Sequence, residues 1–81
     1  MTLRTKPQLR GALAMVNWSS GLLAKHADIP LATLRRLELG DGDLGVSLAT
    51  ILKIQDAFEA VSIEFIENGV ILRPPPRRWE P

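Results

Sequence analysis

Hydrophobic residues recur at intervals of three and four along the first three quarters of the chain, which predicts a series of four helices. Thr5 and Gln8 have the spacing of a capping box, so the first helix should begin near Lys6. Asn17 ends this helix, and Ser19 is a suitable N-cap for a short second one. Only a short turn therefore separates the first two helices.

The third and fourth helices are predicted from the same spacing. Pro30 excludes helical geometry from the residue before it, so a tight connection precedes the third helix. Leu34 and Leu37 should face inward on this helix, and Gly40 should end it. After a loop, Ser47 caps a longer fourth helix. Its apolar residues form one broad stripe that is predicted to be core: Leu48, Ile51, Leu52, Ile54, Ala57, Phe58 and Val61.

After Ser62 the pattern changes from helical to alternating, which predicts two strands. Asn68 and Gly69 separate the strands and favour a type I′ turn, because both accept positive φ. A two-stranded ribbon is marginal alone, so it should pack on the helices or pair with another chain. The predicted protein is mainly α, in three segments: a helical domain at 1–62, a β-hairpin extension at 63–73 and a flexible proline-rich tail at 74–81.

The composition excludes several classes of function. With 81 residues the chain forms one small domain, and no apolar run is long enough to span a membrane. Cysteine is absent, which excludes disulfides and thiolate chemistry and favours a cytoplasmic location. The single histidine, His26, has no second ligand for a metal and is predicted to be a surface residue. Asp41 to Asp43 resemble the start of a calcium loop, but the twelfth position is Leu52. No catalytic residue, metal or cofactor is therefore expected.

The net charge of +1 conceals an uneven distribution along the chain. Six basic residues accompany two acidic ones up to Gly40, whereas four basic residues accompany seven acidic ones from Asp41 onward. The basic half could meet a polyanion such as DNA, or its charges could be ordinary solvated surface.

The order of helices, with the motifs NWS and ATLRRLELG, resembles the Cro/C1-type (XRE-type) helix-turn-helix family of transcriptional regulators. The resemblance extends from about Gln8 to Val61. It implies a four-helix fold in which the third helix enters the DNA major groove and the second crosses the phosphate backbone. The family positions that are implied to be structural are those of Trp18, packed between helices one and two, and of Leu23, Leu34, Leu37 and Glu38.

One structural position departs from the family pattern. Many family members have an arginine at the position of Leu13, where it pairs with the glutamate at the position of Glu38. Arg10 lies about one helical turn from Leu13, so we predict that it replaces the missing arginine as the partner of Glu38.

The positions that face DNA in this family are unusually apolar here. Family members commonly have glutamine and other polar residues where this chain has Ser20, Gly21 and Leu22. The third helix begins with Leu31 and Ala32, where polar residues are usual.

A helical wheel gives the expected direction of each side chain of the third helix. Ala32, Arg36 and Leu39 project outward, whereas Arg35 and Leu31 lie on the flank. Leu31 therefore belongs either to the surface or to the boundary of the core.

Two hypotheses for function follow. Operator binding would use Arg36 to read guanine and Lys6, Arg10, Lys25 and Arg35 to hold phosphates. The favoured hypothesis is that the exposed leucines bind a protein partner, such as a transcriptional activator, in the manner of an antiactivator. Under either hypothesis a homodimer is expected. Trp79, in the proline-rich tail, either anchors a partner or is incidental. The predicted contact surface comprises Ser20, Gly21, Leu22, Lys25, Leu31, Ala32, Arg35, Arg36 and Leu39.

Overall fold

A computed structural model describes residues 3–67 and 69–73 of the chain. The protein is mainly helical with a small antiparallel β-hairpin, which confirms the predicted class. The elements are α1 Lys6–Val16, α2 Ser20–Ala27, α3 Leu31–Glu38, α4 Leu48–Glu59, β1 Ile63–Ile66 and β2 Gly69–Leu72. The predicted tail at 74–81, which includes Trp79, lies outside the described residues. Within the described part of the chain, no helix has the length and apolar character needed to cross a membrane.

The predicted helix caps are confirmed. The Thr5 hydroxyl accepts a hydrogen bond from the Gln8 backbone N–H, and the Gln8 side chain accepts one from the Thr5 N–H, which completes the capping box. Asn17 ends α1 in the left-handed conformation, with φ of 56°. Ser19 and Ser47 accept hydrogen bonds from backbone N–H groups in the first turns of α2 and α4. These ends are fixed by contacts between near neighbours in the chain.

The hairpin and the helices share one hydrophobic core. Strand β2 packs on α1, and β1 packs on α4. Phe65 of β1 meets Phe58 of α4 edge to face, with ring centroids 5.9 Å apart. The largest fully buried side chains are Phe58, Phe65, Leu3, Leu9, Leu23, Leu34, Ile54 and Ile63.

A short extended segment before α1 pairs with the loop between α3 and α4. The backbone N–H of Leu44 donates to the Arg4 carbonyl at 3.0 Å, and the Lys6 N–H donates to the Gly42 carbonyl at 2.8 Å. Leu3 and Leu44 are both buried. The start of α1 is therefore held against the end of α3 and the loop that follows it.

The turn of the hairpin lies one residue earlier in the chain than predicted. Ile66 pairs with Gly69 and Phe65 with Val70, so Gly69 belongs to β2 rather than to the turn. The type I′ turn predicted at Asn68–Gly69 is therefore wrong in its Gly69 half; Asn68 lies outside the described residues. The buried Gln8 side chain explains the register, because its amide nitrogen donates to the carbonyls of both Ile66 and Gly69.

The prediction that the whole apolar stripe of α4 is core is also wrong. Ile54 and Phe58 are buried, but Leu48 is 64% exposed and Leu52 is 42% exposed. Val61 is exposed as well. Helix α4 packs against α2 and β1, and these two neighbours cover less of its surface than the stripe spans.

Candidate functional site

Helix α3 presents a mixed apolar and cationic face. It begins after Pro30, and Leu34 and Leu37 are buried beneath it as predicted. Ala32, Arg35 and Arg36 are exposed. Just past the end of the helix, Leu39 is 70% exposed, the most exposed large hydrophobic side chain in the described part of the chain.

A hydrogen bond between side chains ties α2 to the end of α3. The Ser20 hydroxyl donates to Oε2 of Glu38 at 2.5 Å. Leu22 lies two residues after Ser20 and is 38% exposed, and Leu39 directly follows Glu38. The bond therefore brings the chain segments that carry both exposed leucines together. We call Leu22, Ala32, Arg35, Arg36 and Leu39 the α2–α3 face.

The predicted side-chain pairing of Arg10 with Glu38 is wrong. The Arg10 guanidinium instead donates to the backbone carbonyls of Glu38 and Gly40, at 2.9 and 2.5 Å, and forms an ion pair with Asp41 at 3.0 Å. Carbonyls at the end of a helix lack partners within the helix and attract a cation. Ser20 donates to the Glu38 carboxylate, and Arg10 caps the backbone of α3.

Two residues of the predicted contact surface turn inward. Leu31 is half-buried and packs against the core, so of the two positions left open by the sequence it occupies the core boundary. Ser20 is half-buried, and its hydroxyl proton is directed at Glu38. The remaining predicted residues are exposed: Gly21, Leu22, Lys25, Ala32, Arg35, Arg36 and Leu39.

The cations of this surface are not neutralised by neighbouring acids. Among residues 3–67 and 69–73, the ion pairs join Arg10 to Asp41 and Arg73 to Glu64. Lys25, Arg35 and Arg36 take part in neither. The α2–α3 face therefore combines exposed leucines with unpaired positive charge.

A cavity of about 340 Å³ beside α3 was not predicted from the sequence. The side chains that bring polar groups to it are Lys6, Thr33 and Arg36. Its other lining residues are Leu37, Leu44, Gly45 and Val46. Lys6 and Arg36 are far apart in the chain, and no local pattern marks them as neighbours.

Trp18 occupies a second concave region, between α2 and α4. Its indole ring stacks on His26 of α2 at 4.9 Å and on Phe58 of α4 at 5.4 Å. Trp18 is half-buried and His26 is exposed, so the surface prediction for His26 is confirmed. The aromatic contacts of Trp18 are with α2 and α4, and the side chain packs against the core. Its packing against helix one stays a prediction. The groove beside it has a volume of about 430 Å³.

Groups for metal chemistry do not converge in the described part of the chain. Residues 3–67 and 69–73 contain no cluster of three or more histidine, aspartate or glutamate side chains that could hold a metal ion. No family model, curated protein or solved structure matches this chain.

Proposed function

We propose that this protein is a small regulator of transcription that acts by binding another protein through the α2–α3 face. In this proposal the four helices form a Cro/C1-type helix-turn-helix domain whose DNA-facing surface has become a protein-binding one. The favoured partner is a transcriptional activator, which the protein blocks as an antiactivator. A homodimer stays a prediction under this proposal.

The observation that carries the proposal is the exposure of Leu39, at 70%, beside the unpaired cations of α3. Exposed apolar side chains grouped on a small protein commonly mark an interaction site. Arginines next to apolar anchors are typical of the residues that contribute most to protein binding. Leu22, Leu39 and Arg36 together have this chemistry.

Operator DNA is the second candidate, and the unpaired Lys25, Arg35 and Arg36 favour it. Two features weigh against it. The Ser20 hydroxyl donates to Glu38, so its proton is not directed at a phosphate. The exposed leucines offer no hydrogen bonds to base edges, and a single bidentate contact from Arg36 would contribute only about 1–3 kcal/mol of discrimination.

The test compares two leucine-to-glutamate variants. Leu39→Glu places a charge in the α2–α3 face, and Leu48→Glu places the same charge on α4 at a similarly exposed leucine. Partners are captured from the native cell by crosslinking to the full chain, identified, purified and titrated against each variant. We expect at least tenfold weaker binding and loss of regulation for Leu39→Glu, and wild-type behaviour for Leu48→Glu.

DNA binding is measured in parallel, by gel shift with promoter and random duplexes over a salt series. Under the proposal, any binding of the protein to DNA is weak, equal for the promoter and random duplexes, and abolished by salt. Tight, promoter-selective binding by the wild type that survives in Leu39→Glu would overturn the proposal and establish operator recognition.

A further inference from the structure

We propose that the cavity lined by Lys6, Thr33 and Arg36 accepts a carboxylate from an acidic side chain of the partner protein. We call it the Lys6–Arg36 cavity. This inference rests on the proposed function, since it specifies the chemistry of the protein that the α2–α3 face binds. The partner segment would then carry an apolar side chain and an acidic one close together.

The position of Lys6 in this cavity is fixed by the fold. Its backbone N–H donates to the Gly42 carbonyl at 2.8 Å, which holds the first turn of α1 against the loop after α3. Its ammonium nitrogen lies 3.9 Å from the point that a Cβ would occupy at Gly40, so the amine extends toward the end of α3. Arg36 and Thr33 reach the same cavity from one side of α3.

The donors of the cavity lack an acceptor. Among the residues that the structure describes, neither Lys6 nor Arg36 forms an ion pair. Three acids are near these residues in sequence or in the adjoining loop: Glu38, which accepts a hydrogen bond from Ser20, and Asp41 and Asp43. Asp41 is paired with Arg10, and Asp43 is exposed and bridges Thr5 through its backbone. Two cations and a hydroxyl group can together donate several hydrogen bonds to one carboxylate.

The cavity has a buried apolar floor and a more polar exposed lining. Leu37 and Leu44 line it and are both buried, at 4% exposure each. The attraction for a carboxylate therefore comes from the two cations and is partly screened by solvent. The volume of about 340 Å³ is large enough to admit an acidic side chain.

The cavity adjoins the apolar part of the α2–α3 face. Arg36 lines the cavity and is itself exposed on α3, and Leu39 follows it by three residues. One partner segment can therefore place an apolar side chain on Leu39 and an acidic one in the cavity. The charge complementarity favours an acidic segment, because the cavity brings two cations and no acid.

The test uses the ¹⁵N-labelled full chain and two short capped peptides, Glu-Leu-Leu-Glu and Gln-Leu-Leu-Gln. We expect the glutamate peptide to bind roughly tenfold more tightly and to shift the amide signals of Thr33, Arg36 and Gly45. In Lys6→Gln and Arg36→Gln this preference should fall to about twofold or less. Lys53→Gln removes an exposed lysine on α4 and should retain the full preference. Circular dichroism establishes that each variant is folded.

The contrary outcomes separate this inference from the proposed function. Equal binding of both peptides, lost in Leu39→Glu, would overturn the carboxylate site and leave the apolar face in place. If neither peptide binds, the carboxylate site is also overturned. Tighter binding of inorganic phosphate than of the glutamate peptide, with competition by duplex DNA, would overturn both and assign the cavity to a nucleic-acid backbone.

Discussion

The side-chain nitrogen of Gln8 donates a hydrogen bond to the backbone carbonyl of Ile66 at 2.7 Å, across 58 residues of sequence. It donates a second one to the Gly69 carbonyl at 3.1 Å. The side-chain oxygen of Gln8 meanwhile accepts from the backbone N–H groups of Arg4 and Thr5. One buried amide thus caps α1 and closes the hairpin.

Replacing Gln8 should therefore destabilise two elements together. For Gln8→Ala we expect the free energy of unfolding to fall by about 2–4 kcal/mol, because buried backbone groups at both sites lose their partners. Gln8→Glu keeps the acceptor for α1 but presents a carboxylate to two carbonyls. Urea unfolding followed by circular dichroism should show Gln8→Glu clearly below the wild type. Equal stability of Gln8→Glu and wild type would contradict the role of the Nε2 donor.

Arg10 should stabilise the protein through the backbone of α3 rather than through its ion pair. Arg10→Ala leaves the Glu38 and Gly40 carbonyls without their donor, and we expect a loss of about 1–2 kcal/mol. Asp41→Asn breaks the ion pair, but the Asp41 side chain is 87% exposed, so the loss should be less than about 0.5 kcal/mol. Thermal unfolding of both variants at low and high salt measures this difference. A larger loss of stability in Asp41→Asn than in Arg10→Ala would show that the ion pair, and not the backbone bonds, accounts for the effect of Arg10.

The stack of Trp18 on His26 should be measurable as a coupling energy. The two rings are within 8° of parallel. A double-mutant cycle with Trp18→Leu and His26→Ala should give a favourable coupling of about 0.5–1 kcal/mol, the range of aromatic pairs. Trp18→Leu alone should cost more than His26→Ala, because Trp18 also packs on Phe58. Strict additivity of the two single changes would show that the rings contribute independently.

The structure of α4 predicts that substitutions at Leu52 and Ile54 lower the free energy of unfolding by different amounts. Leu52→Ser should lower the free energy of unfolding by only about 1 kcal/mol, since Leu52 is already 42% exposed and loses less apolar burial than a core residue. Ile54→Ala removes a fully buried side chain and should cost about 2–4 kcal/mol. Chemical unfolding of the two variants distinguishes the structure, in which only Ile54 is core, from the sequence prediction that both residues are core. Similar losses of stability at both positions would support the prediction that the whole apolar stripe is core.

The sequence predicts the ends of the helices well, because capping and proline effects act within a few residues. The capping box at Thr5, the left-handed Asn17 and the N-cap at Ser19 all follow from local chemistry. The spacing of Leu34 and Leu37 likewise predicts the buried side of α3. These features depend on interactions between neighbours in the chain.

The contacts of the candidate site depend instead on packing between distant segments. The Ser20–Glu38 bond spans 18 residues, and the Arg10 guanidinium reaches backbone carbonyls 28 and 30 residues away instead of the Glu38 carboxylate. The wide stripe on α4 contains no sign of where α2 and β1 stop covering it, so the exposure of Leu48 was not predictable.

The sequence by itself determined four helices, three of them with side-chain N-caps, a hairpin and an outward Leu39, since each depends on periodicity or on near neighbours. Only the tertiary structure decided which polar groups remain free on the α2–α3 face and that Lys6 shares a cavity with Arg36. A hydrogen bond or cavity between separate helices depends on their packing angle and register. These are set by the whole core at once, and no local stretch of sequence encodes them.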